Sequence, residues 1–373
     1  MQTKERLISA DDHVDLAHDA IKAHLASKFH DDYDRALQKF AGSMGPMVSN
    51  AANQRWREQQ GLELDSDDES AMGKNRSHPS WGRAGHTDPH ARLEDMDADG
   101  VDASSTYCEV SAFRYLYLLE NGAADATRAF NSALAEFAAV DPKRLVVSYQ
   151  IPIHEIAAAV KEVETVAKEG GRSLQLPVFP TELGLPDYWD GRYDPLWAAI
   201  QDADLPVCCH IGLNTALEGV ALRDPTPQKG IFVPLTALST AEAMGMLIMG
   251  GVFERFPRLK LVYVEPGLGW VSWWLYIADD MMQRQGYDFP AIKELPSFYF
   301  HRNVFLTFID EPDALDQARK TLGIENIMWS SDYPHPVSSW PRSREMANSM
   351  FVDATPKERE LVLSGNAARV WGL

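Results

Sequence analysis

Two carboxylates stand directly before a histidine near the start of the chain, in the stretch LISADDHVDL at residues 7–16. Side chains of an extended strand alternate between its two faces. Asp11 and His13 therefore share one face if this stretch is extended, and Asp12 points to the other. We expect Asp12 to face a helical layer or to cap a backbone N–H group in the following loop. An Asp12→Asn substitution is accordingly expected to have little effect.

Other residues of metal-binding type follow predicted strands elsewhere in the chain. The complete set is Asp11 with His13, His210 after PVCC, Glu265 after KLVYV, and Asp332 after NIMWSS. Carboxylates and imidazoles that converge on one point bind Zn²⁺ or Mn²⁺ and leave a position open for water or substrate. Such an ion polarises a substrate oxygen or lowers the pKa of bound water toward about 7. The two aspartates at positions 11 and 332 and the two histidines are the predicted ligands.

A scaffold that gathers these distant strand ends is indicated by the hydrophobic pattern. Short β-branched or apolar runs alternate with long helical stretches, which is typical of βα units on a parallel sheet. The predicted strands are 6–11, 102–107, 144–149, 173–177, 206–210, 260–265, 303–308 and 326–331. The predicted helices are 124–140, 154–169, 192–203, 268–285, 313–323 and 356–372.

Eight strands are the number that a closed (β/α)8 TIM barrel requires, and its active site forms at the carboxyl ends of the strands. An open doubly wound sheet is the alternative, but no glycine-rich fingerprint follows the first predicted strand. Residues 16–100 are far too long for one crossover helix and are predicted to form a cap or lid. Within them, the acidic run at 65–69 is expected to be a solvated face rather than a cation site. We predict one α/β domain over residues 1–373, a distorted barrel with this insertion after strand one.

Charge and composition exclude several classes of partner. The net charge of −19 disfavours binding to nucleic acid or to anionic membranes. The longest apolar stretch, at 233–253, carries Glu242 and several hydroxyls and glycines, so a buried helix is expected rather than a membrane span. No apolar run follows the charged residues at the start, and the three cysteines suit a reducing compartment. We expect a cytoplasmic protein that acts on a small molecule.

Several motifs together resemble the amidohydrolase-related family of barrel enzymes, in the branch that contains aminocarboxymuconate semialdehyde decarboxylase and the resorcylate decarboxylases. The motifs are SADDHVDL, RLEDMDADGVD, PVCCHIG, VEPGLGWVSWWL, SSDYPHPVSSWP and the closing GNAARVWGL. The resemblance implies a mononuclear metal barrel that decarboxylates or hydrolyses small carboxylated compounds. It carries the ligand roles onto Asp11, His13, His210 and Asp332, and it makes Asp332 the proton shuttle as well. Zn²⁺ is the first expectation for the ion and Mn²⁺ the alternative.

Two departures from the family pattern bear on the reaction. Binuclear relatives have a carboxylated lysine on strand four, whereas this chain offers Gln175 there, which implies a single metal ion. Decarboxylase relatives usually have a histidine at the end of strand six, where this chain has Glu265. This carboxylate can exchange a proton, especially with a pKa raised by burial, or bind the metal directly. His335 is expected at the rim, as a contact to Asp332 or substrate or as a loop-ordering residue.

Three functional classes are open. The first is a metal-dependent lyase that decarboxylates a small aromatic or ring-derived acid, with Asp332, Glu265 and His335 as catalytic residues. The second is a metal-dependent hydrolase of an amide, a lactone or an activated C–C bond, and the third is a barrel without activity that binds a partner. A positively charged side chain that binds the substrate carboxylate would favour the first class. The candidates are Arg92, Arg114, Arg172 and Arg302, and the sequence does not show which of them reaches the site. The tryptophans of 270–274 have helical spacing and are expected to pack against the barrel or in a homodimer.

Overall fold

The computed structural model describes residues 5–43, 49, 51–63, 78–80, 82–108, 112–212, 215–226, 230–351 and 353–373. The acidic run at 65–69, predicted to be a solvated face, lies outside the described residues.

The strands are short and parallel, and each lies at or beside a predicted strand. They are β1 (Ile8–Val14), β2 (Ala103–Cys108), β3 (Leu145–Val147), β4 (Tyr149–Gln150), β5 (Leu174–Gln175), β6 (Pro206–His210), β7 (Lys260–Val264), β8 (Val304–Phe308) and β9 (Ile327–Trp329). The single predicted strand at 144–149 is divided into β3 and β4 at Ser148. β1 extends further than predicted, through the DDHV segment that carries the first candidate ligands.

The strands pair in chain order, β1 to β3 in one sheet and β4 to β9 in another. The Ser148 N–H donates to the Thr106 carbonyl of β2 at 3.0 Å. Because Ser148 lies between β3 and β4, this bond joins the two sheets. At the other junction, the Asp332 N–H donates to the Asp11 carbonyl at 2.8 Å, and the His13 N–H donates to the Tyr333 carbonyl at 2.7 Å. The eight strand positions therefore close into the predicted barrel.

Helices cover the outside of the barrel between the strands. They are α1 (His18–Ala23), α2 (His30–Ser43), α3 (Ala51–Gln59), α4 (Pro89–Asp99), α5 (Ala123–Ala138), α6 (Ile156–Lys168), α7 (Asp194–Ala203), α8 (Thr215–Arg223), α9 (Phe232–Met249), α10 (Val252–Arg255), α11 (Val271–Gln285), α12 (Pro296–Asn303), α13 (Pro312–Thr321), α14 (Ser343–Met350), α15 (Pro356–Glu360) and α16 (Asn366–Trp371). The first four belong to the insertion after β1. A π-helical turn, Leu361–Gly365, separates α15 from α16 within the last predicted helix.

The prediction of a buried helix at 233–253 is wrong in part. The stretch forms α9 and α10, and Leu235, Leu238 and Met246 of α9 are exposed. A helix that is apolar on all sides is expected to be buried on all sides. In the single chain, however, α9 exposes one apolar face to solvent. Among the described helices, none combines the length and the apolar character that a membrane crossing requires.

The amino end of the barrel is filled by the C-terminal helix. Residues of α16, including Val370 and Trp371, pack with inward-facing residues of the strands such as Ile8 and Val262. The Trp371 indole N–H donates to the hydroxyl of Ser173, directly before β5, at 3.2 Å. The opposite, carboxyl end of the strands is therefore the end that is left for a site.

Candidate metal centre

The four predicted ligands lie together at the carboxyl ends of β1, β6 and β9. His13 Nε2 lies 3.1 Å from Asp332 Oδ1 and 3.7 Å from Asp11 Oδ1. His210 Nε2 lies 3.5 Å from Asp11 Oδ1. All four side chains are buried, and ligand atoms of Asp11, His13 and His210 lie within 4.8 Å of one another. Donor atoms at such separations suit coordination to a single ion.

The other two predicted catalytic residues border this set. Glu265 Oε2 lies 3.7 Å from His210 Nε2, and its carboxylate also groups with those of Asp11 and Asp332. His335 Nδ1 lies 3.0 Å from Asp332 Oδ1. The site therefore contains three carboxylates and three imidazoles in direct proximity.

The donor atoms of Asp11 and His210 fit a cation. Both carboxylate oxygens of Asp11 are buried and accept no hydrogen bond of ordinary length and angle from the described residues. Burying a carboxylate without donors is costly unless a cation compensates its charge. His210 Nδ1 donates to the Ile211 carbonyl at 3.0 Å, which leaves Nε2 as the atom that faces Asp11. A histidine whose other nitrogen is held by a carbonyl is the usual arrangement of a metal ligand.

Gln175 occupies the strand position at which a bridging lysine would serve two metal ions. Its Oε1 accepts hydrogen bonds from Gln150 Nε2 at 2.7 Å and from Cys108 Sγ at 3.3 Å. An amide held in this way brings no negative charge to bridge a second cation. The donor set fits one divalent ion, as the sequence predicted.

Backbone conformation turns two of the carboxylates into the site. Glu265 has φ 61° and Asp332 has φ 54°, two of the three positive φ values among the described non-glycine residues. Left-handed backbone in such residues costs on the order of 1 kcal/mol and persists only where the surroundings enforce it. The Glu265 N–H donates to the Thr307 hydroxyl at 2.8 Å, which helps to hold this turn at the end of β7.

Mutual electrostatics sets the protonation of the cluster. Burial, together with the charge of Asp332, raises the pKa of Glu265 well above its usual range. Burial by itself would lower the pKa of His210, but Asp11 and Glu265 raise it to about 9. Burial would raise the pKa of Asp332, yet His335 and His13 hold it below its usual range. The mutual interactions within the cluster therefore raise the pKa values of Glu265 and His210 and lower that of Asp332.

Asp12 points away from the metal-binding set, as predicted, but its surroundings differ from the prediction. It is fully buried and accepts hydrogen bonds from the hydroxyls of Ser9, Ser104 and Ser331 and from the Tyr333 N–H. Its Oδ2 faces Arg92 of α4, whose Nη1 lies 4.0 Å away, but the N–H group that Asp12 caps belongs to the loop after β9 rather than the loop after β1. The serine directly before Asp332, in the SSDY motif, is the sequence signal for this contact.

A cleft adjoins the metal-binding set on the side of His210. Its lining includes Phe113, Arg114, Phe179 and Glu182. Arg114 lies on the 3₁₀ helix Ala112–Tyr117, and its Nη1 forms an ion pair with Glu218 Oε1 at 3.8 Å. Of the four arginines considered as anchors, Arg114 therefore reaches the cleft.

The other arginines with described contacts serve the fold. Arg92 is buried behind the site, where its Nε donates to the Gly85 carbonyl at 2.7 Å and its Nη1 lies 4.0 Å from Asp12 Oδ2. Arg302 donates to the Phe253 carbonyl on α10. A second cleft, on the Glu265 side, is lined by Phe308, Asp310, Glu311 and Val337 among others, and this acidic lining repels a carboxylate.

Comparison with curated proteins identifies relatives over most of the chain. A sequence profile of the amidohydrolase family matches residues 22–373, starting after β1. The gamma-resorcylate decarboxylase of Rhizobium radiobacter is 24% identical over 302 residues, which cover 76% of this chain and 86% of the relative. The 2-amino-3-carboxymuconate-6-semialdehyde decarboxylase of Dictyostelium discoideum is 22% identical over 302 residues, 77% of each chain.

Comparison with solved structures supports the fold. The 5-carboxyvanillate decarboxylase of Sphingomonas paucimobilis superposes with a TM-score of 0.72 at 22% identity, over 99% of this chain and 100% of the other. A 5-carboxyvanillate decarboxylase from Novosphingobium aromaticivorans, solved with bound manganese and 3-methoxy-4-hydroxy-5-nitrobenzoic acid, has a TM-score of 0.72 at 16% identity. These chains correspond over 100% of this protein and 98% of the other. The barrel prediction is confirmed, and the chain belongs to the amidohydrolase family of enzymes.

Proposed function

We propose that this protein is a metal-dependent nonoxidative decarboxylase of a small aromatic carboxylic acid. The observation that carries the proposal is the contact of the Asp332–His335 pair with the buried set of Asp11, His13 and His210. The pair can carry a proton, and it lies next to the candidate metal ligands and to the cleft that is lined by Phe113 and Phe179. The named activities of the relatives, gamma-resorcylate and 5-carboxyvanillate decarboxylation among them, point in the same direction.

One divalent ion is proposed to be held by Asp11, His13, His210 and Asp332. When bound, it supplies positive charge that polarises the substrate carboxylate and an adjacent oxygen. Two carboxylates and two imidazoles suit both Mn²⁺ and Zn²⁺. Because structurally similar decarboxylases contain manganese, Mn²⁺ is the first ion to test, and Zn²⁺ is the second.

Proton delivery is proposed for Asp332 and His335. Decarboxylation breaks the bond between the ring and the carboxylate, releases CO₂ and requires one proton on the ring carbon. Asp332 Oδ1 lies 3.0 Å from His335 Nδ1, so that a proton held by His335 can pass to Asp332. Asp332 passes this proton to the carbon, and His335 regains one from the rim, where it is partly exposed. The raised pKa of Glu265 favours its neutral form, which would limit the negative charge that opposes an anionic substrate.

The substrate is proposed to occupy the cleft beside His210. Phe113 and Phe179 offer apolar and aromatic surface to a ring, and Arg114 offers a cation to an acidic substituent. The cleft on the other side is lined by Asp310 and Glu311, which makes it the poorer place for an anion. The preferred substrates are therefore benzoates with an ionised or hydrogen-bonding substituent on the ring.

A product assay with the Mn²⁺-loaded and Zn²⁺-loaded protein tests the function. The probes are 2,6-dihydroxybenzoate, 5-carboxyvanillate and unsubstituted benzoate, in water enriched in ¹⁸O. The expected result is stoichiometric CO₂ and the decarboxylated ring, without ¹⁸O in the ring product. An aromatic amide and an aromatic lactone serve as further probes, and enzyme-dependent ¹⁸O incorporation into their products would favour the hydrolase alternative. Absence of any turnover with all probes and both ions, in protein that binds metal, would contradict the proposal.

We further propose that the protein acts as a homodimer through α9 and α11. Trp273 and Tyr276 of α11 are 64% and 69% exposed, and α9 exposes the apolar residues described above. The two helices adjoin closely, since a Cβ atom at Gly245 of α9 would lie 3.1 Å from the Trp274 ring. Exposed apolar side chains on two adjacent helices are typical of an interface between subunits. Sedimentation analysis of the wild type should give a dimer, and Tyr276→Glu should give a monomer.

A further inference from the structure

Asp12 connects the two chain segments that carry most of the candidate ligands. On one segment it is flanked by Asp11 and His13. On the other it contacts both neighbours of Asp332, because its Oδ1 accepts from the Ser331 hydroxyl at 2.6 Å and from the Tyr333 N–H at 3.0 Å. The contact spans 319 residues of sequence to Ser331.

The geometry points to Asp12 as a positioning residue for the metal centre. Asp332 has a left-handed backbone, with φ 54°, which its surroundings must enforce. Holding the residue before it and the residue after it fixes both ends of this turn. Two main-chain hydrogen bonds between β1 and the Asp332 loop act in parallel, and Asp12 supplies the side-chain contacts of the same junction.

The hydrogen bonds of Asp12 divide between its two oxygens, which makes the inference testable. Oδ1 also accepts from the Ser9 hydroxyl at 2.9 Å and faces the Asp332 segment. Oδ2 accepts from the Ser104 hydroxyl of β2, on the side away from Asp332. Loss of the Ser331 contact should therefore disturb metal binding, whereas loss of the Ser104 contact should mainly disturb the pairing of β1 with β2.

A second buried carboxylate provides a matched control. Asp99, at the end of α4, accepts from the Ser343 N–H at 2.8 Å and from the Ser343 hydroxyl. Like Asp12, it is a buried carboxylate that accepts from a serine hydroxyl and a backbone N–H, but none of these hydrogen-bond partners borders a candidate ligand. A loss of stability common to all buried carboxylates would appear equally in an Asp99 variant.

The inference rests on the metal-dependent function proposed above, so the experiment measures metal binding rather than turnover. Mn²⁺ dissociation constants are measured by electron paramagnetic resonance for the wild type, Asp12→Asn, Ser331→Ala, Ser104→Ala and Asp99→Asn. Folded protein is quantified by circular dichroism, and the visible absorption of Co²⁺-loaded protein reports the ligand geometry. Removal of a group that orients ligands typically weakens metal binding 10- to 100-fold. In place of the small effect expected from the sequence, the contacts of Asp12 lead us to expect about this loss for Asp12→Asn. We expect a smaller loss for Ser331→Ala and an altered Co²⁺ spectrum in both variants.

The controls decide between positioning and general stability. Ser104→Ala and Asp99→Asn are expected to lower the melting temperature while leaving the Mn²⁺ dissociation constant and the Co²⁺ spectrum unchanged. Wild-type metal binding in folded Asp12→Asn would overturn the inference, as would an equal loss in Asp99→Asn. If Asp12→Asn does not fold, unchanged Mn²⁺ binding and Co²⁺ absorption in Ser331→Ala would overturn it. A wild-type protein that binds neither Mn²⁺ nor Zn²⁺ would overturn the proposed function itself, and the inference with it.

Discussion

Asp332 Oδ1 lies 3.0 Å from His335 Nδ1, and the imidazole of His335 stacks on that of His13 with ring centroids 3.8 Å apart. One carboxylate thus contacts a candidate metal ligand on one side and a histidine of the rim on the other. Protons that reach Asp332 from the rim have a route through His335. The proposed function gives Asp332 two roles, as a ligand and as the group that exchanges a proton with the substrate.

Replacement of Asp332 should therefore abolish turnover while it leaves folding largely intact. Asp332→Asn removes the exchangeable proton and one negative donor while keeping the size of the side chain. Loss of a positioned acid or base typically lowers kcat by ~10²- to 10⁴-fold. Steady-state assays of CO₂ release at saturating Mn²⁺ measure this loss. Asp99→Asn serves as the comparison, and an Asp332→Asn protein with more than about a tenth of wild-type kcat would contradict the role.

Removal of the metal ion should destabilise the folded protein. A ligand that binds the folded state alone, at a free concentration 100 times its dissociation constant, adds about 2.7 kcal/mol of stability. Chelation should accordingly lower the melting temperature, and Mn²⁺ or Zn²⁺ added in excess of the chelator should restore it. Calorimetry of the wild type and of His210→Ala measures the effect. The variant should respond much less to either treatment, and an equal response in both proteins would exclude His210 as a ligand.

Metal affinity should increase with pH because His210 must lose a proton to bind. In the metal-free protein its pKa is raised to about 9, so at lower pH the folded protein holds a proton that the ion must displace. The histidine alone then contributes roughly a tenfold gain in affinity for each pH unit below that pKa. Titration calorimetry in buffers with different heats of ionisation counts the released protons. Binding at neutral pH without proton release would show that His210 is already neutral or does not ligate.

Substrate affinity should depend on Arg114. Arg114→Gln removes the cation of the cleft beside His210 while leaving a side chain that can still form hydrogen bonds. A hydrogen bond to a charged group contributes about 1.5–3 kcal/mol, so KM should rise roughly 10- to 100-fold with a smaller change in kcat. Arg128→Gln is the matched control, since Arg128 lies on α5 and pairs with Glu162 and Glu169. Equal KM values for wild type and Arg114→Gln would show that the substrate anion is bound elsewhere.

Much of the scaffold could be predicted from the sequence because its signals are local. The strand at 206–210 begins and ends where it was predicted. Pro206 and His210 mark the two ends of a short apolar run, so the sequence shows directly where the strand starts and stops. The alternation of such runs with amphipathic stretches indicated the barrel. Because active sites of barrels form at the carboxyl ends of strands, the residues at or just after the end of each run were enough to nominate Asp11, His13, His210, Glu265 and Asp332.

The sequence by itself determined the order of strands and helices and the residue types at the strand ends, because each depends on a periodicity within one element. The tertiary structure decided which of those residues meet. Closure of β1 against the loop after β9 brought Ser331 and Tyr333 onto Asp12, and the 3₁₀ helix after β2 brought Arg114 to the cleft. Such contacts join residues that no local period connects, so their partners emerge only when the barrel closes.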